Sequence, residues 1–245
     1  MKYLLTLAIL LTLQVSNAQD YRSALYQSYL LEKLDAWKEI IEQMEEEYIR
    51  TSDTDLLFDL LEAEYGYMGW LVSEKKKKEA ELVLRNAERH MSMLTQLGKD
   101  NARFYSLKGA FFGYQILLDP LKAPSLGKSS MEANERAMEL DPKEPQVWLE
   151  KANMDYYRPA VFGGSKRKAV PNYEKAVALY EASPERTREN WVYMNSLVGL
   201  ATAYENTRKF SEAGEVYRKL LRLEPSLKSV KEDLYPKFRK KHPGK

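Results

Sequence analysis

Residues 194–225, MNSLVGLATAYENTRKFSEAGEVYRKLLRLEP, decide how the rest of the chain is read. The stretch holds two apolar-periodic runs on either side of a polar break. Leu197, Leu200 and Tyr204 recur at helical spacing in the first run, and Tyr217 and Leu220 in the second. Ala201 and Ala213 sit one on each run, and small side chains there let two antiparallel helices approach closely. Pro225 ends the unit, because proline cannot continue a helix interior.

The same alternation of helical stripe and breaker extends in both directions. Segments 21–31 and 33–48 form a hairpin, the second carrying Trp37, Ile40, Ile41 and Met44 on one stripe. Thr51, Ser52, Asp53 and Thr54 offer capping side chains, with Asp55 three residues after Ser52 as in a capping box. Helices are then expected over 55–72, 77–94 and 103–118, the last stopped by Asp119-Pro120. An extended loop over 121–128 precedes helix 129–140. Helix 145–157 stops at Arg158-Pro159, and a loop at 160–165 precedes helix 166–180. Ser183-Pro184 is a helix start, with Pro at the first helical position. Helices over 190–205 and 211–223 follow, then a short one near 227–234 broken by Pro236. Helix pairs thus return every ~35–45 residues, the period of a helical solenoid.

Leu197, Leu200, Ala201, Tyr204, Ala213, Tyr217, Leu220 and Pro225 fall, without a gap, on the eight signature positions of the tetratricopeptide repeat. Ala201 stands for the common Gly and Leu197 for the common Trp. The chain therefore resembles tetratricopeptide repeat (TPR) proteins of the exported bacterial type. Trp148, Ala152, Ala169, Tyr173 and Ala176 look like a second copy with an insertion between its helices. Ala137, Leu140 and Pro142 look like the end of another; Ala80, Leu84 and Ala87, and Ala36 with Ile40, are fainter ones. The resemblance implies an all-α fold, a TPR-like α-solenoid of about five antiparallel helix pairs plus a C-terminal capping helix, over residues 19–236. It also implies a concave groove lined by first helices. The groove positions are Leu149, Asn153, Tyr156 and Tyr157 in one unit, and Asn195, Val198, Thr202, Glu205 and Asn206 in the next.

Both insertions, 121–128 and 160–165, lie between the two helices of a pair, so a solenoid brings them out on one edge. The second carries Pro159, Phe162, Gly163 and Gly164. It resembles a short stretch of helical-repeat periplasmic proteins linked to solute uptake, the TRAP-transporter T component group.

Composition narrows the function. With 44% hydrophobic residues the chain is too apolar for disorder, and 11 Gly with 10 Pro are too few for a turn-rich β fold. Lys+Arg at 38 against Asp+Glu at 36 leaves no global excess for a nucleic-acid partner. The absence of Cys removes disulfides, thiolate metal sites and a Cys nucleophile. Residues 1–18, MKYLLTLAILLTLQVSNA, have the signal-peptide layout: Lys2, an apolar stretch, then Ser16 and Ala18 before a cut at Gln19. That layout places the mature chain across the inner membrane, in the periplasm of a Gram-negative bacterium, and not as an integral membrane protein. The tail 237–245 carries five basic side chains besides His242 and reads as a frayed, soluble terminus.

No catalytic constellation is present. His90 and His242 have no second His or Cys partner, and His90 reads as ordinary packing. Runs such as Glu45-Glu46-Glu47 read as solvated helix faces. No phosphate loop, nucleophile elbow, cofactor motif or metal-ligand spacing occurs. Aromatics are the abundant feature. Adjacent pairs such as Tyr156-Tyr157 point ~100° apart on a helix, so both cannot face the same neighbour. These features point to a non-catalytic protein that docks a protein or peptide in its groove. The alternative is a receptor for a small apolar solute or lipid, associated with a transporter and roofed by the loops near Pro120 and Phe162.

Overall fold

The computed structural model describes residues 17–244, with side chains from Tyr21 onward. The apolar stretch of the expected signal lies outside the described residues. The described chain is helical, with no strand. Its elements are α1 (Asn17–Leu31), α2 (Leu34–Thr51), α3 (Thr54–Ser73), α4 (Lys77–Gln96), α5 (Ala102–Leu118), α6 (Ala123–Leu140), α7 (Pro145–Tyr157) and α8 (Lys166–Glu181). They continue with a single turn, α9 (Pro184–Thr187), then α10 (Trp191–Asn206), α11 (Phe210–Leu223) and α12 (Tyr235–Lys241). Helices α1/α2, α3/α4, α5/α6, α7/α8 and α10/α11 form five pairs, each packed on the next, and α12 closes the stack against α11. The expected all-α repeat architecture is the one observed.

Within the last pair, Ala201, Ala213, Leu197, Tyr217 and Leu220 are all buried, so the small residues do bring α10 and α11 together. Side-chain caps fix where helices begin. Asn101 accepts from the Phe104 N–H, Asn190 from that of Tyr193 (both 3.0 Å) and Ser165 from that of Lys168 (3.3 Å). Each such cap contributes ~1 kcal/mol. At α3 the cap is Asp53, which accepts from the Asp55 and Leu56 amides. Ser52 instead adopts a left-handed conformation (φ 53°), so the capping box expected there does not form.

Two expected boundaries move. Most of segment 121–128 is helix: Pro120–Lys122 makes a 3-10 turn and α6 starts at Ala123, with Pro124 in its first turn where no amide is needed. In the C-terminal tail, residues 237–241 are helical in place of the expected frayed terminus. Pro236 likewise sits in the first turn of α12, so the helix runs through Lys241; Phe238 is buried, and His242 stacks on Phe210 with ring centroids 3.9 Å apart.

The solenoid also closes on itself. α1 lies against α10. The Arg22 guanidinium donates to the carbonyls of Glu185 (3.0 Å), Arg188 (2.6 Å) and Glu189 (3.3 Å). Ser23 donates to Glu189 (3.1 Å) and Tyr26 to Glu224 (2.7 Å). Behind this seam Trp191 is the hub, with Trp37, Tyr29 and Tyr65 centred 5.1, 6.0 and 6.1 Å away. Gly66 of α3 must be glycine here, because a Cβ would stand 2.7 Å from the rings of both Trp37 and Trp191. The inner face of the first pairs is therefore core, not groove.

His90 is packed, as expected, but in ionic company. Its Nδ1 shares a 3.0 Å hydrogen bond with Glu64 Oε2, both side chains being buried between α3 and α4. Arg89 pairs with Glu45 just outside. Burial pushes the Glu64 carboxyl up, and the His90 hydrogen bond opposes that. Glu64 Oε1 has no hydrogen-bond partner among the described residues.

Candidate functional site

The candidate site lies at the C-terminal ends of α5, α7 and α10, where Leu117, Tyr157 and Asn206 are exposed. Its floor is a polar stripe along α7. Gln146, Glu150, Asn153 and Tyr157 recur at four, three and four residues, which places them on one face of the helix. Gln146 donates to Glu150 Oε1 (2.9 Å), and Asn153 donates to Glu150 Oε2 (3.2 Å) and to the Tyr65 hydroxyl (3.4 Å). Tyr173 donates to Asn153 Oδ1 at 2.6 Å. Neighbouring helices thus converge their tyrosine hydroxyls on this stripe.

Glu150 is the buried charge of the site. Burial raises its carboxyl to about 7, against the hydrogen bonds from Tyr65, Asn153 and Gln146 that stabilise the anion. A carboxyl raised in the folded state binds its proton more tightly there than in the unfolded chain. Its contribution to stability is therefore full below the ordinary carboxylate range and lost as pH rises through about 7. Glu150→Gln is expected to flatten that slope, which denaturant titrations of both proteins across the window will show. Parallel slopes would mean that Glu150 is not the group responsible.

The rim is aromatic. Tyr156 and Tyr157 meet edge to face at 4.8 Å between centroids, and Tyr173 approaches Tyr156 at 6.4 Å. Asn206 of α10 donates to the Tyr156 hydroxyl (2.9 Å), and Lys166 lies 5.4 Å over the Tyr156 ring. The Tyr157 side chain is 71% exposed, yet its hydroxyl is raised, first by desolvation and then by the Glu150 charge. The ring is open to solvent on one face and packed on Tyr156 on the other, so it offers a surface on which another ring can stack. Tyr114 of α5 donates its hydroxyl to the Tyr65 carbonyl (3.3 Å); burial raises that hydroxyl, and Glu150 and Tyr157 add to the rise. These phenols stay neutral near pH 7 and serve as hydrogen-bond donors, not anions.

The groove positions implied by the repeat frame do not stay together. Tyr156 and Tyr157 meet at the rim, while Val198 and Thr202 of α10 are half-buried on the facing helix, as is Asn195 nearer its start. Leu149 is wholly buried and offers no surface, because the closed solenoid turns that side of α7 into core. Asn153 belongs to the floor. Glu205 is tied to the C-terminal segment through Lys241 (3.6 Å) and His242 (3.7 Å).

In the edge loop, Pro159–Ser165 is tightly built. Phe162 and Gly164 amides donate to the Pro159 carbonyl (2.9 and 3.2 Å), and the Ser165 amide donates to that of Asp155 (2.7 Å). Gly163 takes the left-handed φ of 89°, and a Cβ on Gly164 would lie 1.8 Å from the Arg158 carbonyl oxygen, so both glycines are structural necessities. Sequence reasoning passed over Glu150 and Tyr65, and counted Tyr114 among the abundant aromatics without placing it at the site. The four-three-four polar spacing of α7 was the available signal for Glu150; Tyr65 and Tyr114 join the site through long-range packing only.

No protein-family profile matches the chain, and no curated protein matches it. Solved structures do. The HusA haemophore from Porphyromonas gingivalis aligns with a TM-score of 0.63 at 20% identity, over 79% of this chain and 95% of that one. TTC0263, a thermophilic TPR protein from Thermus thermophilus, aligns with a TM-score of 0.55 at 17% identity, over 91% of this chain and 97% of that one. With five stacked helix pairs and these neighbours, the chain has a TPR-like, all-helical repeat fold.

Proposed function

We propose that this protein is a non-catalytic receptor for a compact, flat, apolar solute, held in the cleft of Tyr114, Tyr156 and Tyr157. One observation carries the reading: closure of α1 on α10, with the Trp37–Trp191 contact behind it, fills the inner face that an extended peptide would need. What remains is short and aromatic. Rings stack on rings, neutral phenols donate hydrogen bonds, and Lys166 at the rim supplies a positive charge for an acidic substituent. One neighbouring fold is named a haemophore, which makes a porphyrin the first solute to try. The signal-peptide layout of residues 1–18 supports a site outside the inner membrane.

The test is titration of residues 19–245 with haemin, followed by native mass spectrometry before and after denaturation. One solute per chain is expected, with Tyr156→Ala/Tyr157→Ala weakening it by more than about tenfold, as for a pair of aromatic anchors. A wild type that retains neither haemin nor any extracted solute would overturn the reading. A second reading, docking of a short protein segment on the same rim, is favoured by the 71% exposure of Tyr157. It predicts that Tyr156→Ala/Asn195→Ala abolishes partner capture without unfolding the protein, and that no solute is retained by the wild type.

A further inference from the structure

The edge onto which the cleft opens carries a second pattern, independent of what occupies the cleft. Its two inter-helix turns are tipped by apolar side chains held out into water. Leu121 is 90% exposed, Val161 83% and Phe162 65%. Both turns are single 3-10 turns joining first to second helices of consecutive pairs, α5 to α6 and α7 to α8. Helices α5 and α7 pack directly on one another as first helices of consecutive pairs, which brings the turns that follow them out on the same edge. These tips are not slack loops: backbone hydrogen bonds and the Gly164 contact with Arg158 hold the second one rigid.

Around the tips the charge is positive. Lys122 follows Leu121, and Lys166, Arg167 and Lys168 follow the second turn. The next turn of the stack adds Arg208 and Lys209. Lys166 is joined to it by its 3.3 Å hydrogen bond to Asn206, and α12 brings Lys240 and Lys241 there through the Lys241–Glu205 pair. Most carboxylates of this edge are engaged, Glu212 in the first turn of α11 being exposed and without an ion-pair partner among the described residues. Asp119 caps Leu121, Glu132 pairs with Lys128, Glu174 with Lys209, and Glu205 with Lys241 and His242. Lys122, Arg167, Lys168, Arg208 and Lys240 have no ion-pair partner among the described residues. The balanced composition thus conceals a local excess of cations.

From rigid apolar tips inside a ring of free cations, we infer that this edge docks on a bilayer surface carrying anionic phospholipid. Leu121, Val161 and Phe162 enter the headgroup–acyl boundary, and the lysines and arginines meet the phosphates. Neither feature suffices alone: a few apolar side chains give weak insertion, and a cationic edge alone gives salt-sensitive adsorption. Among the described residues no helix is long and apolar enough to cross a membrane, so attachment through this edge is peripheral.

The experiment is cosedimentation of residues 19–245, which carry all five pairs and omit the apolar leader, with protein-free vesicles. Vesicles of phosphatidylcholine with phosphatidylglycerol are compared with phosphatidylcholine alone, at low and high salt. Binding to the anionic vesicles only, weakened by salt, is expected. Leu121→Ser/Val161→Ser/Phe162→Ser is expected to lower it by more than about tenfold. Arg167→Glu/Lys168→Glu is expected to lower it by roughly fivefold or more per charge. All five side chains are solvent-facing, and unchanged melting curves will show that the variants fold. In a third protein, Phe162→Trp, emission should shift to the blue on adding anionic vesicles. The inference is overturned if the wild type stays in the supernatant, or if the apolar variant sediments like wild type. It is also overturned if a soluble polyanion binds as well as the vesicles do, or if only vesicles containing envelope proteins retain the chain.

Discussion

Trp191→Ala is expected to destabilise the protein by roughly 3–5 kcal/mol, the range for deleting a large buried aromatic. The melting temperature should fall by on the order of 10 °C for a chain of this size. The reason lies in what Trp191 joins. It is the first residue of α10, yet it packs on Tyr29 of α1, Trp37 of α2 and Tyr65 of α3. Removing the ring leaves a cavity between the two ends of the stack, so the loss has a shape as well as an energy. The seam loosens, the radius of gyration grows, and proteolysis near Arg22 speeds up. Trp191→Phe keeps an aromatic face and should cost markedly less. Thermal melts with small-angle scattering decide the matter. A Trp191→Ala protein that keeps both its wild-type melting temperature and its wild-type scattering would show that the closed form does not depend on this hub.

The second large effect concerns the buried pair between α3 and α4. His90→Leu at neutral pH is expected to cost ~3–5 kcal/mol, because it strands Glu64 in the core without a partner. Glu64→Leu/His90→Leu should recover most of that loss, since no charge is left to desolvate. Acid should also relieve the single variant. With His90 gone, burial acts on Glu64 with less opposition, and the neutral carboxyl is the form that the core tolerates. The deficit is then largest at mildly alkaline pH and shrinks as Glu64 takes up a proton. Denaturant melts of the two variants at mildly alkaline and mildly acidic pH test this. A double variant as unstable as the single one would mean that volume, not charge, sets the cost.

The repeat at 194–225 was legible because its signal is local: apolar spacing, two alanines and a terminal proline are all read within one unit. The five pairs followed from the same period, and the edge loop at 160–165 from its paired glycines. The closed inner face was not legible. It rests on pairings such as Arg22 with Glu189 and Trp37 with Trp191, which join residues more than a hundred positions apart and leave no mark on local periodicity. That gap explains Leu149. The repeat frame assigns groove positions for an open superhelix, and closure moves one of them into the core. His90 shows a related limit, since no spacing announces that Glu64, on the preceding helix, will meet it. The tail was misread because Phe238 and His242 gain burial and stacking only once α11 and Phe210 are in place.

The contact of α1 with α10 also changes how the molecule comes apart. In an open array each unit leans only on its neighbours, so stability is a sum along a line and the ends peel first. Here the two ends hold one another, and the array behaves as a loop with no free terminus to unzip. The first pair stays short of its final partners until the fifth has been made, a long-range closure that slows folding and sharpens unfolding into a single step. An emerging chain must wait, with Trp37 and Tyr29 still lacking the Trp191 ring, until α10 has arrived.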